Sequence, residues 1–179
     1  MEWNKFSMSN LRLINETTAS SVASVSMTDV FSADFDIYYL SMTTNDLSTA
    51  TDNNYRFINS SGSIISASSY DYASLFMPMY SGFTEGRATN GSSALGVSFG
   101  NNGTEGFGLS MYIYNPFNSS SYSYAQVQSV FRYPAGGNQS YKSISVLKSA
   151  TSCTGINFFP SSGTYDNINL RVYGLRVDS

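Results

Sequence analysis

Apolar and polar residues alternate with a period of two along most of this chain, and no stretch of ten or more residues shows a convincing period of 3.6. The segments Phe107 to Ile113, Tyr122 to Tyr133 and Tyr141 to Leu147 alternate in this way. Since successive side chains of a strand point to opposite faces of a sheet, the pattern predicts β-strands. About eight to ten such segments follow one another at roughly 8–12-residue spacing, which is typical of sandwiches and barrels. We predict an all-β fold, an antiparallel two-sheet β-sandwich of the jelly-roll type.

Two places are predicted to form β-hairpins. The turn Asn101-Asn102-Gly103 separates two alternating segments, and Asn-Gly is a strong signal for a tight hairpin turn. Near the C-terminus, Gly155 to Phe159 leads through a Pro-Ser-Ser-Gly turn to a longer strand from Ile168 to Arg176. Gly174 interrupts that strand, which indicates a bulge or a close backbone approach. One face of the same strand is predicted to hold Ile168, Leu170 and Val172.

The length of 179 residues is that of one ordinary domain. Residues 16–179 are predicted to form a single β-sandwich domain, and residues 1–15 a possible N-terminal arm. The alternative is that this first segment forms the first strand of the sandwich. A polar turn is predicted at Asn59 to Gly62. Two stretches look irregular: Thr43 to Asn53, expected to be a long loop or a short helical turn, and Met77 to Ser93.

The composition excludes several classes of protein. Charged residues make up only 12% of the chain, the net charge is −3 and no basic run occurs, so nucleic-acid binding is not expected. No apolar run approaches the ~20 residues of a membrane-spanning helix. The N-terminal residues lack the apolar core of a signal peptide, so we expect the chain to be made in a cytoplasm and to stay there. The single cysteine, Cys153, cannot form an internal disulfide.

The chain offers little catalytic chemistry. It contains no histidine, which removes the commonest general base and metal ligand, and Cys153 is expected to be a small buried hydrophobe. Asp34 and Asp36 fall on one face of a predicted strand, about 6–7 Å apart, and two carboxylates are what a glycosidase requires. The alternative is solvent-facing charge near a strand edge, which we favour. We expect no enzyme activity, no cofactor and no metal.

Aromatic residues are the remaining source of a functional surface, at 15% of the chain with 14 tyrosines and 12 phenylalanines. Tyrosine has an apolar ring with a polar tip, which suits both interfaces and stacking on sugars. The alternative is a purely structural role, in which these side chains belong to the core and the sheet faces. The dense clusters in the sequence are Tyr70, Tyr72, Phe76 and Tyr80, then Tyr112 and Tyr114, then Tyr122 and Tyr124.

Several motifs together resemble a family of small β-rich virion proteins of tailed bacteriophages, many of them from cyanobacterial and marine phages. The most specific is the closing strand Arg171-Val172-Tyr173-Gly174-Leu175. Where family members often carry Gly before this strand, this chain has Asp166-Asn167, so the preceding turn is expected to differ. The other matching stretches are Ser20 to Ser26, Asp36 to Leu40, Arg56-Phe57, Ser61-Gly62, Tyr70, and the strand from Gly106 to Asn115-Pro116.

The resemblance implies a jelly-roll-like sandwich, a location in the virion after assembly in the host cytoplasm, and a homotrimer. On this basis we expect a capsid decoration or cement protein that binds the major capsid protein or another virion protein. The alternative is a tail or fibre tip that binds host surface glycans; a carboxylate-dependent glycan hydrolase is a third and weaker possibility. The residues expected to bind a partner are Trp3, Phe6, Met8, Tyr70, Tyr72, Phe76 and Tyr80.

Overall fold

The computed structural model describes residues 10–100, 106–132 and 137–175. Strands dominate these residues, and every strand pairing is antiparallel. In chain order the strands are β1 (Leu11–Ala19), β2 (Val25–Met27), β3 (Ile37–Leu47), β4 (Thr51–Asn59), β5 (Tyr70–Pro78), β6 (Thr84–Gly91), β7 (Ala94–Gly100), β8 (Phe107–Tyr114), β9 (Ser123–Arg132), β10 (Asn138–Leu147), β11 (Cys153–Pro160) and β12 (Tyr165–Leu175).

The strands form two sheets that pack face to face. The larger sheet has eight strands in the order β1-β12-β3-β8-β9-β10-β5-β6, and the smaller has four in the order β2-β11-β4-β7. The predicted all-β fold with two antiparallel sheets in a sandwich is therefore confirmed. The smaller sheet covers only part of the larger one, and β7 packs across β9 and β10.

Strict alternation produces the core between the sheets. Strand β9 alternates buried and exposed residues along its whole length, and so does most of β10. In β12 the predicted shared face of Ile168, Leu170 and Val172 is confirmed, and it is the inward face, because all three are fully buried. Burial of one such aliphatic side chain contributes about 1.5–3 kcal/mol. The smaller sheet contributes Tyr55, Phe57, Ile156 and Phe158 to the same core.

Both predicted hairpins are wrong at the level of strand pairing. Strand β11 lies between β2 and β4 in the smaller sheet, whereas β12 lies between β1 and β3 in the larger one. Similarly, β7 pairs with β4 while β8 pairs with β3 and β9. In both cases, β7 to β8 and β11 to β12, the chain therefore crosses from the smaller sheet to the larger one instead of forming a hairpin. The turn residues Asn101 to Gly103 lie outside the described residues.

The two stretches predicted to be irregular are largely strands. Strand β3 continues to Leu47 and β4 begins at Thr51, so the supposed loop of residues 43–53 shrinks to a tight connection. This polar sequence joins the sheet because its side chains find partners: the Thr44 hydroxyl donates to the Asn167 carbonyl, and Asn53 is fully buried. The second stretch contains the end of β5 and all of β6.

The predicted N-terminal arm is too long. Residues 11–15 belong to β1, which pairs with β12 from Leu11↔Leu175 to Ala19↔Ile168 with one bulge between Leu13 and Asn15. The Arg171 guanidinium lies 2.6 Å from Glu16 and secures the same pairing. Residues 1–9 lie outside the described residues, so an arm is confined to the segment that precedes β1.

Candidate functional site

The residues predicted to bind a partner do not form one surface. Trp3, Phe6 and Met8 lie outside the described residues. Tyr70 is a core residue with no exposed surface, which corrects its assignment as a contact residue. Its hydroxyl donates to the Ile65 carbonyl at 3.0 Å and accepts from the Phe57 amide at 2.9 Å, which satisfies a polar group that would otherwise be costly to bury.

The other three members of that cluster separate from one another. Tyr72 and Phe76 are partly buried and pack against the core, with the Phe76 ring 5.0 Å from the ring of Tyr141. Tyr80 lies beyond the end of β5 and is 55% exposed, and its hydroxyl accepts a hydrogen bond from the Gln139 amide at 2.7 Å. The sequence cluster is thus divided: Tyr70, Tyr72 and Phe76 share the inward face of β5, whereas Tyr80 lies beyond the end of that strand at the surface.

The side chains considered for catalysis lie in different environments. Asp34 and Asp36 are both exposed, and the Ser32 hydroxyl donates to Asp34 at 3.1 Å. Cys153 is fully buried, and this burial raises the pKa of its thiol to about 11. Within residues 10–100, 106–132 and 137–175, no group of three or more His, Cys, Asp or Glu side chains is arranged to hold a metal ion.

The outer face of the eight-stranded sheet carries a continuous row of side chains from one edge to the other. The register places one residue from each strand in this row, which spans about 34 Å at the usual strand spacing of ~4.8 Å. Most of its members are apolar or aromatic. From β1 to β6 the row consists of Leu13, Tyr173, Tyr39, Tyr112, Gln126, Ile144, Ala73 and Arg87.

A second row next to it is also largely apolar, and the two together form what we call the apolar band. The second row consists of Leu11, Leu175, Ile37, Tyr114, Tyr124, Val146 and Asp71. On the other side of the first row the residues are mostly polar, with the Glu16–Arg171 pair, Gln128 and Lys142. The band is therefore an exposed apolar strip with a polar border.

The half of the band nearest β1 is formed by contacting tyrosine rings, which we call the tyrosine row: Tyr173, Tyr39 and Tyr112. The ring centroid of Tyr39 lies 6.0 Å from that of Tyr173 and 5.3 Å from that of Tyr112. Such tilted aromatic pairs are favourable by about 0.5–1.5 kcal/mol beyond their buried area. Next to this row, Leu11 and Leu13 of the edge strand remain 39% and 49% exposed.

The other half of the band is a groove along β10 and β5. Tyr114 and Tyr124 lie on one side of it, and Arg87 of β6 lies on the other. It consists of two adjoining hollows of about 550 Å³ and about 750 Å³, which share Ala73, Arg87 and Ile144. The small side chain of Ala73 makes room at the centre. We use "the groove" for these two hollows together.

The groove is lined by hydrogen-bonding side chains and by equal numbers of acidic and basic side chains. The Tyr114 hydroxyl donates to the Gln126 side-chain carbonyl at 3.0 Å, which orients the Gln126 amide so that its NH₂ can donate elsewhere. Asp71 pairs with Lys148 at 2.8 Å; hydrogen bonds from Lys148 and from the Asn90 amide lower the pKa of its carboxyl. The charged side chains that line the groove are Asp71, Glu85, Arg87 and Lys142, two acids and two bases.

Sequence reasoning identified part of this surface. Tyr112, Tyr114 and Tyr124 stood out as members of tyrosine clusters, but Tyr39, Arg87 and Ile144 carried no signal of their own. These residues come from distant parts of the chain, and only strand register brings them into one row. For Tyr39 the available signal was alternation, because it is flanked by the buried Tyr38 and Leu40; Arg87, between Gly86 and Ala88, had no such signal.

Comparisons with known proteins add little to this geometry. No protein-family model matches the chain, and no curated protein matches it. Among solved structures, it is similar to a single mutant of congerin II at 11% identity and a TM-score of 0.33, over 88% of this chain and 99% of that one. Lactose- and MES-liganded congerin II gives 11% identity and a TM-score of 0.32 with the same shares. A human SPRY domain gives 9% and 0.23, over 92% and 99%.

These likenesses are too weak to carry an argument about function. As a separate observation, no helix within the described residues is long and apolar enough to cross a membrane.

Proposed function

We propose that this chain is a structural protein of a tailed-phage particle, a decoration or cement protein that binds neighbouring capsid subunits and has no enzymatic activity. The observation that carries the proposal is the apolar band across the outer face of the larger sheet. Exposed contiguous apolar surface with a polar border is typical of interaction sites. The resemblance of the strand motifs to phage virion proteins supports the particle as the place of that interaction.

The tyrosine row is the part of the band best suited to a protein partner. Tyrosine is enriched at the centres of interfaces, because its ring contributes contact area while its hydroxyl retains a polar partner. The row adjoins the exposed Leu11 and Leu13 of β1. Because β1 begins at Leu11, the segment that contains Trp3, Phe6 and Met8 joins the fold at this same edge. We propose that the arm and the tyrosine row engage one virion partner.

The test is reconstitution on particles that lack the protein. Particles purified from a phage with this gene deleted are mixed with the purified protein, and bound protein is measured after sedimentation. We expect the wild-type protein to sediment with the particles at a fixed ratio. The double substitution Tyr39→Ser/Tyr173→Ser should abolish this, whereas Tyr124→Ser, on the same face but in the groove, should leave it unchanged.

Labelling then locates the protein on the particle. Antibody labelling of intact virions should decorate the head. Labelling confined to the tail or fibre tip would contradict the cement function and favour the alternative, a tip protein that binds host surface glycans. If the protein is absent from purified virions by mass spectrometry, the proposal is wrong.

A further inference from the structure

We infer that the groove is a binding site for a neutral oligosaccharide. This inference goes beyond the structural role above and does not depend on where in a virion, or whether in one, the protein is found. It rests on the residues of the groove itself, which differ from the rest of the band in shape, in aromatic surface and in charge.

The groove is long and open enough for a chain of sugar rings. It runs along β5 from Asp71 to Leu75, which is about 14 Å at the rise of an antiparallel strand. Ile144 at its centre is 56% exposed, and Ala73 opposite it is also exposed. The floor is therefore apolar and accessible, in contrast to the tyrosine row, where the rings cover one another.

The aromatic side of the groove offers a stacking surface with fixed donors. Tyr124 is 47% exposed and stands directly opposite Tyr114 in the register of β8 and β9. A sugar ring has an apolar face of C–H groups and a rim of hydroxyls, so it matches a tyrosine ring that is flanked by hydrogen-bonding groups. Gln126 supplies an amide NH₂ beside these rings. Across the groove, Arg87 supplies guanidinium N–H donors.

The charges favour a neutral ligand. Of the four charged lining side chains, Asp71 and Glu85 are acidic and Arg87 and Lys142 are basic. A polyanion such as nucleic acid requires a run of positive charge, whereas this groove, with Lys148 counted beside Asp71, has a surplus of one base. The Asp71 carboxylate is already paired with Lys148, so it does not demand a cationic ligand.

The backbone argues against a peptide in the groove. Strand β10 is hydrogen-bonded to β9 and β5, and β5 to β10 and β6. A peptide that adds as a strand needs a free sheet edge, which here is the outer edge of β6, beside the sheet and not over the floor of the groove. A peptide that docks by an apolar helix face needs a continuous apolar channel. Lys142 and Glu85 interrupt the hollow of about 750 Å³. An uncharged ligand with alternating apolar and hydroxyl faces fits the lining best.

The experiment is titration of the isotope-labelled full-length protein with defined oligosaccharides, followed by NMR chemical shifts. The neutral panel consists of tri- to hexasaccharides of glucose, galactose and mannose in α and β linkage, and oligogalacturonate serves as the anionic arm. We expect at least one neutral oligosaccharide at millimolar concentration to shift the amide signals around Tyr124, Gln126 and Arg87. Tyr124→Ala and Arg87→Ala should each weaken binding at least tenfold, while Tyr173→Ala should retain it. Each variant is first checked by circular dichroism and thermal melting.

Several results would overturn the inference. These are no response to any neutral oligosaccharide, a response to oligogalacturonate alone, or an equal loss of binding in Tyr173→Ala. A fourth is a response at the groove to a short Leu- and Phe-containing peptide with none to any saccharide, which would make it a protein-docking site. Particle binding is scored separately, so failure of the glycan site and failure of the virion role give different results.

Discussion

The ring of Phe35 lies directly against the backbone of Gly174 in β12. A Cβ built on Gly174 would come within 2.6 Å of Cγ and Cδ2 of that ring, closer than real contacts allow. The sequence-based expectation of a close backbone approach at this glycine is therefore confirmed. The contact fixes the segment before β3 against β12, the strand next to the edge strand β1, on the face of the sheet opposite the tyrosine row.

Gly174→Ala should consequently destabilise the fold. The Phe35 ring is buried and packs edge-on against Tyr38, so moving it away from Gly174 disturbs that contact, and overpacking of this kind costs about 1–3 kcal/mol. Denaturant unfolding measures the change. Gly108→Ala in β8 of the same sheet is the matched control, because a Cβ there would meet no atom within 4 Å. In a Phe35→Ala background the cost of Gly174→Ala should shrink, and equal costs in both backgrounds would contradict the explanation.

A buried hydrogen bond between Tyr165 and Asn53 joins the two sheets. The Tyr165 hydroxyl donates to the Asn53 side-chain carbonyl, and neither residue is exposed. Tyr165→Phe should reduce the free energy of unfolding by about 1–3 kcal/mol, because the amide carbonyl of Asn53 is left buried without this donor. Tyr173→Phe, on the outer face, should change it by no more than ~0.5 kcal/mol. Similar values for the two variants would count against the assignment.

Stability should fall at alkaline pH. Burial raises the pKa of the Cys153 thiol from 9.0 to about 11 and that of the Tyr141 hydroxyl from 10.0 to about 12. The folded state holds these protons more tightly than the unfolded chain does. The stabilisation is therefore complete below pH 9 and is lost as the pH rises through 11 and 12. Unfolding by urea at about pH 7, 9, 10 and 11 should show a plateau followed by a decline. A constant midpoint across this series would contradict the prediction.

The same burial should protect Cys153 from thiol reagents. A thiol that is fully buried and largely protonated is a poor nucleophile. We expect no reaction with a chromogenic disulfide reagent at about pH 8 in native buffer, and one thiol per chain in denaturant. Rapid reaction of the native protein would show that β11 opens readily.

Deletion of residues 1–10 should leave the fold intact. Each strand of the described residues begins at or after Leu11, so none of the observed strand pairings is lost. We expect an unchanged melting temperature together with loss of binding to protein-free particles. If the truncated chain unfolds, Trp3, Phe6 and Met8 belong to the core, and the attachment surface is reduced to the tyrosine row.

The isolated protein should form a homotrimer. The resemblance to phage virion proteins implies this assembly, and charged residues at only 12% with aromatic residues at 15% suit a large permanent interface. Size-exclusion chromatography with light scattering at micromolar concentration should give three times the mass of one 19.5 kDa chain. A stable monomer under these conditions would argue against the trimer.

The positions of most strands could be predicted from sequence because alternation is a local property. Tyr122 to Tyr133 predicted β9 nearly to the residue, and the inward face of β12 followed from the spacing of Ile168, Leu170 and Val172. The polar turn at Asn59 to Gly62 was also predicted correctly, since Asn59 accepts hydrogen bonds from the amides of Ser61 and Ser63 and Gly62 has a φ of +79°. Each of these features depends on residues that are close together in the chain.

Tertiary structure decided which strands pair, and with that the surface on which function depends. The turn signals before β8 and β12 favoured hairpins, but the core is filled only if these strands join the larger sheet while β7 and β11 join the smaller one. The polar residues 43–53 became strands because distant backbone and side-chain groups satisfy them. Tyr39, Tyr112, Tyr173 and Arg87 share one row for the same reason. Alternation predicts the face on which the three tyrosines lie, but register between distant strands sets their neighbours, and register is a property of the whole sheet.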